Sequence, residues 1–250
     1  RTRMKILPWI SGAALLFASS FASAMPFVQV YEWAITPGQA PAVVAAFDAL
    51  QSSEVGKNRR AQVQLQAIAF NGASPTTHRV VALWPSVAEA EAWSQKALGS
   101  EEIALYTARL NQAGTPVATY SVVPLRNWGT VSSEDRTWDV IQVEVSNPGA
   151  ILAGLDALLN DKETQAFPGQ IWLVQVLTGQ AGAAGRNTHE IVVGYESLAE
   201  MEAWQETLLA TDAWKKWSAV AGANMKLVNR SFAQWVRFVE HSYDLEAFAE

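Results

Sequence analysis

Residues 77–93 read THRVVALWPSVAEAEAW and residues 188–204 read THEIVVGYESLAEMEAW. Adding 111 to a number in the first stretch gives its partner in the second: His78 and His189, Ser86 and Ser197, Trp93 and Trp204. The chain therefore writes one passage twice. Each copy opens with a run of β-formers, passes through Ser-x-Ala-Glu and continues at helical spacing, which predicts a strand feeding a helix through a capping box. In such a box the Ser hydroxyl accepts from the backbone N–H three residues on, and the Glu carboxylate reaches back to the Ser N–H.

Working outward, the first half predicts strands over 28–34, 61–70 and 77–84 and a fourth over 117–123 that ends before Pro124. Helices are expected over 39–51, from Ser86 to Leu98 and, after the break at Gly99, from Ser100 through Leu110. Asn71-Gly72 turns the second strand into the third as a hairpin. In the second half the strands fall at 138–145, 170–178, 188–195 and 226–239, with Asn147-Pro148-Gly149 matching the turn at Pro37-Gly38. Each half thus reads β-α-β-β-α-β, a ferredoxin-like unit. One such unit leaves a sheet face bare, so the economical arrangement is α+β: two ferredoxin-like repeats packed sheet to sheet as an intramolecular dimeric α/β barrel. The boundaries expected are 25–128 for the first repeat, 129–135 for a polar linker, 136–240 for the second repeat and 241–250 for an acidic tail.

The start of the chain has the pattern of a secretory signal peptide. Lys5 precedes an apolar run, and Ala22-Ser23-Ala24 is a small-x-small cleavage site. Cleavage after Ala24 would remove Arg1, Arg3 and Lys5 and take the formal charge from −6 to −9. Such an acidic product is a poor partner for nucleic acid or anionic lipid. The expected location is the periplasm or the exterior, with no membrane association after cleavage. Because one chain supplies both halves of the barrel, a monomer is expected. With no cysteine and 50% hydrophobic residues, the fold must hold by packing.

The stretch ESLAEMEAWQETLLATDAWKKW, residues 196–217, resembles the helical region of the dimeric α/β-barrel superfamily, especially NIPSNAP-like and antibiotic-biosynthesis-monooxygenase-like proteins. The resemblance implies a barrel with a cavity, in a superfamily that includes cofactor-free oxygenases and haem-binding or haem-degrading enzymes. The haem-degrading members use an Asn on strand one, a Trp near the end of strand three and a His on the next helix. Trp84 matches the second of these, but strand one offers Gln29 and Tyr31, and residues 87–98 contain no His.

Two of the three histidines, His78 and His189, occupy equivalent positions. Alternation puts His78 on one strand face with Val80, Ala82 and Trp84, and His189 with Ile191, Val193 and Tyr195. If that face looks into the barrel, two imidazoles would be available for proton transfer or anion binding. Otherwise each Thr-His pair simply starts its strand. Eleven tryptophans are present, ten of them after Ala24. Trp93, Trp204, Trp214 and Trp217 stand at helical positions and read as core. Trp33, Trp84 and Trp172 stand on strands, where with Tyr31, Tyr195, Gln64 and Gln66 they form a candidate ligand-binding set. No metal-binding pattern is present, since there is no His-x-His, no His-Glu-x-x-His and no thiolate. No Gly-x-Ser-x-Gly occurs.

Two functions fit. One is an exported barrel that binds a small apolar or aromatic molecule without catalysis and without a cofactor. The other is a cofactor-free or haem-dependent monooxygenase-like oxidoreductase that uses His78 or His189.

Overall fold

The computed structural model describes residues 26–180, 182 and 185–241. The segment read as a signal peptide, and the tail beyond His241, lie outside them. The elements are β1 (Phe27–Ile35), α1 (Ala40–Ser52), α2 (Glu54–Lys57), β2 (Ala61–Phe70), β3 (His78–Trp84), α3 (Val87–Ala97), α4 (Glu101–Ala113) and β4 (Gly114–Gly129). They continue with β5 (Thr137–Val145), α5 (Pro148–Leu159), β6 (Gln170–Gly179), β7 (His189–Tyr195), α6 (Leu198–Leu209), α7 (Asp212–Asn224) and β8 (Met225–His241).

The strands close into one antiparallel barrel in the order β1-β3-β2-β8-β5-β7-β6-β4. Within it the first half runs β4-β1-β3-β2 and the second β8-β5-β7-β6. The halves do more than face one another. Their edge strands also pair, β2 with β8 and β4 with β6, so neither sheet keeps a free edge that could template aggregation.

The repeated sequence produces repeated hydrogen bonds. The Thr77 hydroxyl accepts from Ile35 N–H at 2.8 Å and the Thr188 hydroxyl from Val145 N–H at 2.9 Å, tying β1 to β3 and β5 to β7 in the same way. Ser86 Oγ accepts from Glu89 N–H and Ser197 Oγ from Glu200 N–H, both at 3.2 Å, so each hydroxyl caps its helix as expected. The reciprocal half of the box differs. Glu89 is drawn to Arg60 at 2.7 Å, and Glu200 reaches past Ser197 to the Glu196 N–H at 2.8 Å.

Apolar side chains fill three layers. Phe47, Val63, Leu65 and Trp84 pack between the first sheet and its helices; Ile151, Leu173, Trp204 and Trp217 do so in the second half. Val30, Val122, Val140 and Trp172 meet inside the barrel. Each large side chain so enclosed contributes roughly 1.5–3 kcal/mol. With helices on one side and the lumen on the other, the strands are buried on both faces, and the first six residues of β2 are buried without a break.

The fourth strand extends past its expected end. β4 continues through Pro124 to Gly129, taking in residues the sequence placed beyond the strand. Its pairing with β1 stops at Val122, and a register shift follows Pro124 on the β6 side, so the missing proline N–H falls where the ladder is already broken. Similarly, Asn147-Pro148-Gly149 is the entry to α5: Pro148 opens the helix, and the Asn147 side chain accepts from Ala150 N–H at 3.1 Å.

Candidate ligand-binding site

The pleat of the strands divides the candidate residues between two cavities. On β1 and β3, Val28, Val30, Val81 and Leu83 face the lumen, whereas Gln29, Tyr31, Trp33, Val80, Ala82 and Trp84 face the helices. Tyr31, Trp33 and Trp84 therefore come together beneath α1 and α4. Gln64, Gln66 and Trp172 line the lumen instead. Tyr195 packs in the helix-covered layer of the second half.

The two histidines do not meet. His78 and His189 lie on the helix-ward faces of different sheets, and neither ring lines the lumen or the cavity beneath α1 and α4. Each imidazole Nδ1 sits beside the preceding threonine hydroxyl, at 3.1 Å for His78 and 2.9 Å for His189. Burial lowers both pKa values, so both rings are neutral near pH 7.

The cavity beneath α1 and α4 has a volume of about 310 Å³. Its walls are the β1 and β3 side chains above, with Leu50 and Gln51 from α1, Arg59 from the loop before β2, Trp93 from α3, and Tyr106 and Leu110 from α4. Trp84 and Trp93 are tilted against each other with ring centres 5.5 Å apart. Both indoles are fixed by hydrogen bonds, Trp84 Nε1 to Gln29 Oε1 at 3.0 Å and Trp93 Nε1 to Val55 O at 2.9 Å. These aromatic walls are therefore pre-set in orientation, as a binding cavity requires.

Arg59 and Tyr106 were not legible as site residues. Arg59 sits in a polar stretch that reads as an exposed loop, yet it is only 4% exposed, with its guanidinium carbon 4.2 Å from the centre of the Trp93 ring. Desolvation lowers its pKa to about 10, partly opposed by Tyr106 and Tyr31, and it remains a cation at neutral pH. Burial raises the phenols of Tyr31 and Tyr106, which remain protonated. The one available signal was a paired position. Gln62 and Gln170 hold equivalent places opposite β3 and β7, and counting back three residues from each gives Arg59 and Phe167.

That comparison exposes an asymmetry. In the second half Phe167 lies against Trp204 at 5.1 Å, where Arg59 lies over Trp93. Trp214 and Trp217 stand where the first half has Ile103 and Tyr106, and they fill the layer together with Phe167 and Tyr195. Trp217 packs so tightly that a Cβ on Gly154 would stand 3.0 Å from its ring.

The lumen holds a smaller cavity, about 90 Å³, with apolar walls and one polar end. There Arg79 Nε donates to Gln66 Oε1 at 2.5 Å, Gln66 Nε2 to Gln64 Oε1 at 2.5 Å, and Gln64 Nε2 to Gln62 Oε1 at 3.0 Å. Opposite, Glu190 accepts from Gln142 at 3.1 Å and Asn187 at 3.0 Å, and burial raises its carboxyl pKa. The Tyr120 phenol is also raised, by burial and then by Glu190 and Glu32; its hydroxyl lies near Glu190 without completing a hydrogen bond of normal geometry.

Neither metal nor haem chemistry finds a ligand set in these cavities. Among the described residues no group of three His, Cys, Asp or Glu side chains is placed to hold a metal ion. Among its described residues the cavity beneath α1 and α4 offers no His, Cys or Met to a haem iron, and its two tyrosines have phenols raised by burial that favour the protonated form. Its residues do not fit a haem.

No family model matches the sequence, and a search of curated proteins finds no match. Solved structures do match in fold. A protein of Lactobacillus acidophilus NCFM, provisionally named a monooxygenase, superposes with a TM-score of 0.60 at 9% identity over 87% of this chain and 97% of its own. An anthrone oxidase-like protein gives 0.59 at 14% identity over 88% and 94%. A haem-binding protein from Thermus thermophilus gives 0.50 at 5% identity over 85% and 92%. At such identities the likeness is one of architecture. The chain has a mixed α+β fold with a closed eight-stranded antiparallel barrel, similar to that of dimeric α/β-barrel proteins.

Proposed function

We propose that this protein binds a small planar aromatic molecule in the cavity formed by β1, β3, α1 and α4. One observation carries the reading: the first half keeps an aromatic-walled space where the second half is filled by Phe167, Trp214 and Trp217. If packing alone governed that layer, the solution adopted in the second half would serve in both. The test is calorimetric titration with 2-naphthol of the unmodified protein and of Tyr106→Trp, which installs the residue found at the corresponding place in α7. Saturable binding that is lost in Tyr106→Trp is the expected result. Equal binding by both proteins would overturn the reading.

A second reading is oxygenation of the bound aromatic without a cofactor. It is supported by the fold likeness to an anthrone oxidase-like protein, and by a cavity whose buried cation would favour an ionised substrate. Oxygen consumption in the presence of anthrone separates the two readings: no uptake leaves binding without turnover. Export to the periplasm or beyond, a monomeric state and an origin as two ferredoxin-like repeats in tandem belong to the same proposal. The repeated 77–93 passage and the matching strand orders support the last of these.

A further inference from the structure

Among the described residues Arg59 is the single charged one in the wall of the aromatic cavity. It enters none of the ion pairs among the described residues. Its Nε is buried without an acceptor, and so is the indole N–H of Trp33 on the same wall. Among the described residues, both unpartnered buried polar side-chain atoms of this cavity are therefore N–H donors, and no buried side-chain acceptor there lacks a partner.

A cation withdrawn from water is retained only when a counter-charge and hydrogen-bond acceptors meet it. The neighbouring phenols of Tyr31 and Tyr106 are protonated at neutral pH and cannot serve as the counter-charge. Folding does not call for a charge at this place, because Phe167 occupies the corresponding one against Trp204. The guanidinium carbon also stands 4.2 Å from the centre of the Trp93 ring, a cation–π contact that keeps the side chain against the cavity's aromatic wall.

We infer that the ligand of this cavity is an aromatic anion, a carboxylate or phenolate whose oxygens dock on Arg59 and the Trp33 N–H while its ring lies against Trp84 and Trp93. The inference rests on the aromatic-binding reading above and adds the charge of the ligand. Guanidinium and carboxylate match in fork geometry, and a charge-assisted pair is roughly twice as strong as a neutral one. The aromatic walls would take a neutral ring equally well, so discrimination falls to Arg59.

The experiment compares 2-naphthoate with its neutral isostere 2-naphthamide by calorimetry at pH 7.5. The unmodified protein is expected to prefer the naphthoate by about ten-fold or more. Arg59→Met should abolish that preference while leaving naphthamide affinity within about three-fold, and Arg59→Lys, which keeps the charge but not the fork, should retain part of it. Because Arg59→Met could lose its fold, Arg59→Phe is measured beside it, carrying the residue already accommodated in the second half. Equal affinity for the two probes in the unmodified protein would overturn the charge assignment alone, with no variant needed. So would a preference that survives in Arg59→Met. Binding of neither probe would overturn the aromatic-site reading itself, and the charge assignment with it.

Discussion

Asp139 and Arg230 meet in a forked contact, Nη2 to Oδ2 at 2.6 Å and Nε to Oδ1 at 3.0 Å, at the place where the first half joins Gln29 to the Trp84 indole. The Asp139 side chain is 3% exposed and that of Arg230 44%, so the carboxylate bears most of the desolvation. Burial raises the Asp139 pKa and the Arg230 hydrogen bonds pull it back. Arg230→Met should therefore destabilise the fold by about 2–3 kcal/mol, discounted from the fully buried case because the arginine reaches solvent. The double variant Asp139→Asn with Arg230→Met should recover most of the loss. Urea unfolding at pH 7.5 measures both, and a single variant as stable as the parent would contradict the assignment.

The glutamine chain along β2 makes a different prediction. Gln64 gives one hydrogen bond to Gln62 and accepts two, from Gln66 and from Trp235 Nε1 at 2.8 Å. Gln64→Leu would keep the volume and strand two buried partners, Gln62 and Gln66, and the half-buried Trp235, each buried one at about 1–3 kcal/mol before relaxation, so a total of about 3 kcal/mol is expected. The same change at Gln66 should also release Arg79. Denaturant midpoints rank the two, and Gln66→Leu should be the worse.

The histidines predict an acid-side effect. Burial depresses both pKa values, so each contributes stability that is present above its unfolded pKa and is lost as pH falls through the lower folded value. His78→Gln and His189→Gln should therefore narrow the loss of thermal stability between pH 7 and pH 5. Ligand affinity at pH 7.5 should not change, because neither ring lines the aromatic cavity. A steeper acid loss in these variants would mean that the imidazoles are stabilised in their charged form.

Much of this architecture was legible in the residues. The doubled passage placed β3 and β7 at the same position in each half, and the serines marked two helix starts. Strand alternation places Tyr31 on one face with Trp33, and Gln64 on one face with Gln66. It did not show which face is inward, because the strands are buried on both sides and the usual contrast between apolar and polar faces is missing. The lumen even takes the more polar set on β2, with Gln66 donating to Gln64 and Gln64 to Gln62. Arg59 was illegible for a related reason: an arginine beside a strand reads as solvated, and only the tertiary placement of α3 and α4 buries it.

Asp135 carries the last prediction. Asp135 is buried just before β5, and its carboxylate accepts from Gln170 Nε2 at 2.5 Å, yet desolvation dominates, and its pKa is raised to about 6 with help from Glu200 and Glu196. A raised carboxyl favours the protonated folded state. Its stabilisation is thus complete below the ordinary aspartate value near pH 4 and is lost as pH rises through about 6. Asp135→Asn keeps an acceptor for Gln170 and removes the charge. The variant should match the parent at pH 4 and exceed it by about 1–2 kcal/mol at pH 7.5, a figure below the full conversion of the shift because Asp135 lies close beneath the surface, where solvent screens part of the effect. Thermal unfolding at both pH values measures the gap. A gap that is equal at the two pH values would show that the carboxyl ionises as it does in the unfolded chain, and one wider in acid that its pKa is lowered by folding.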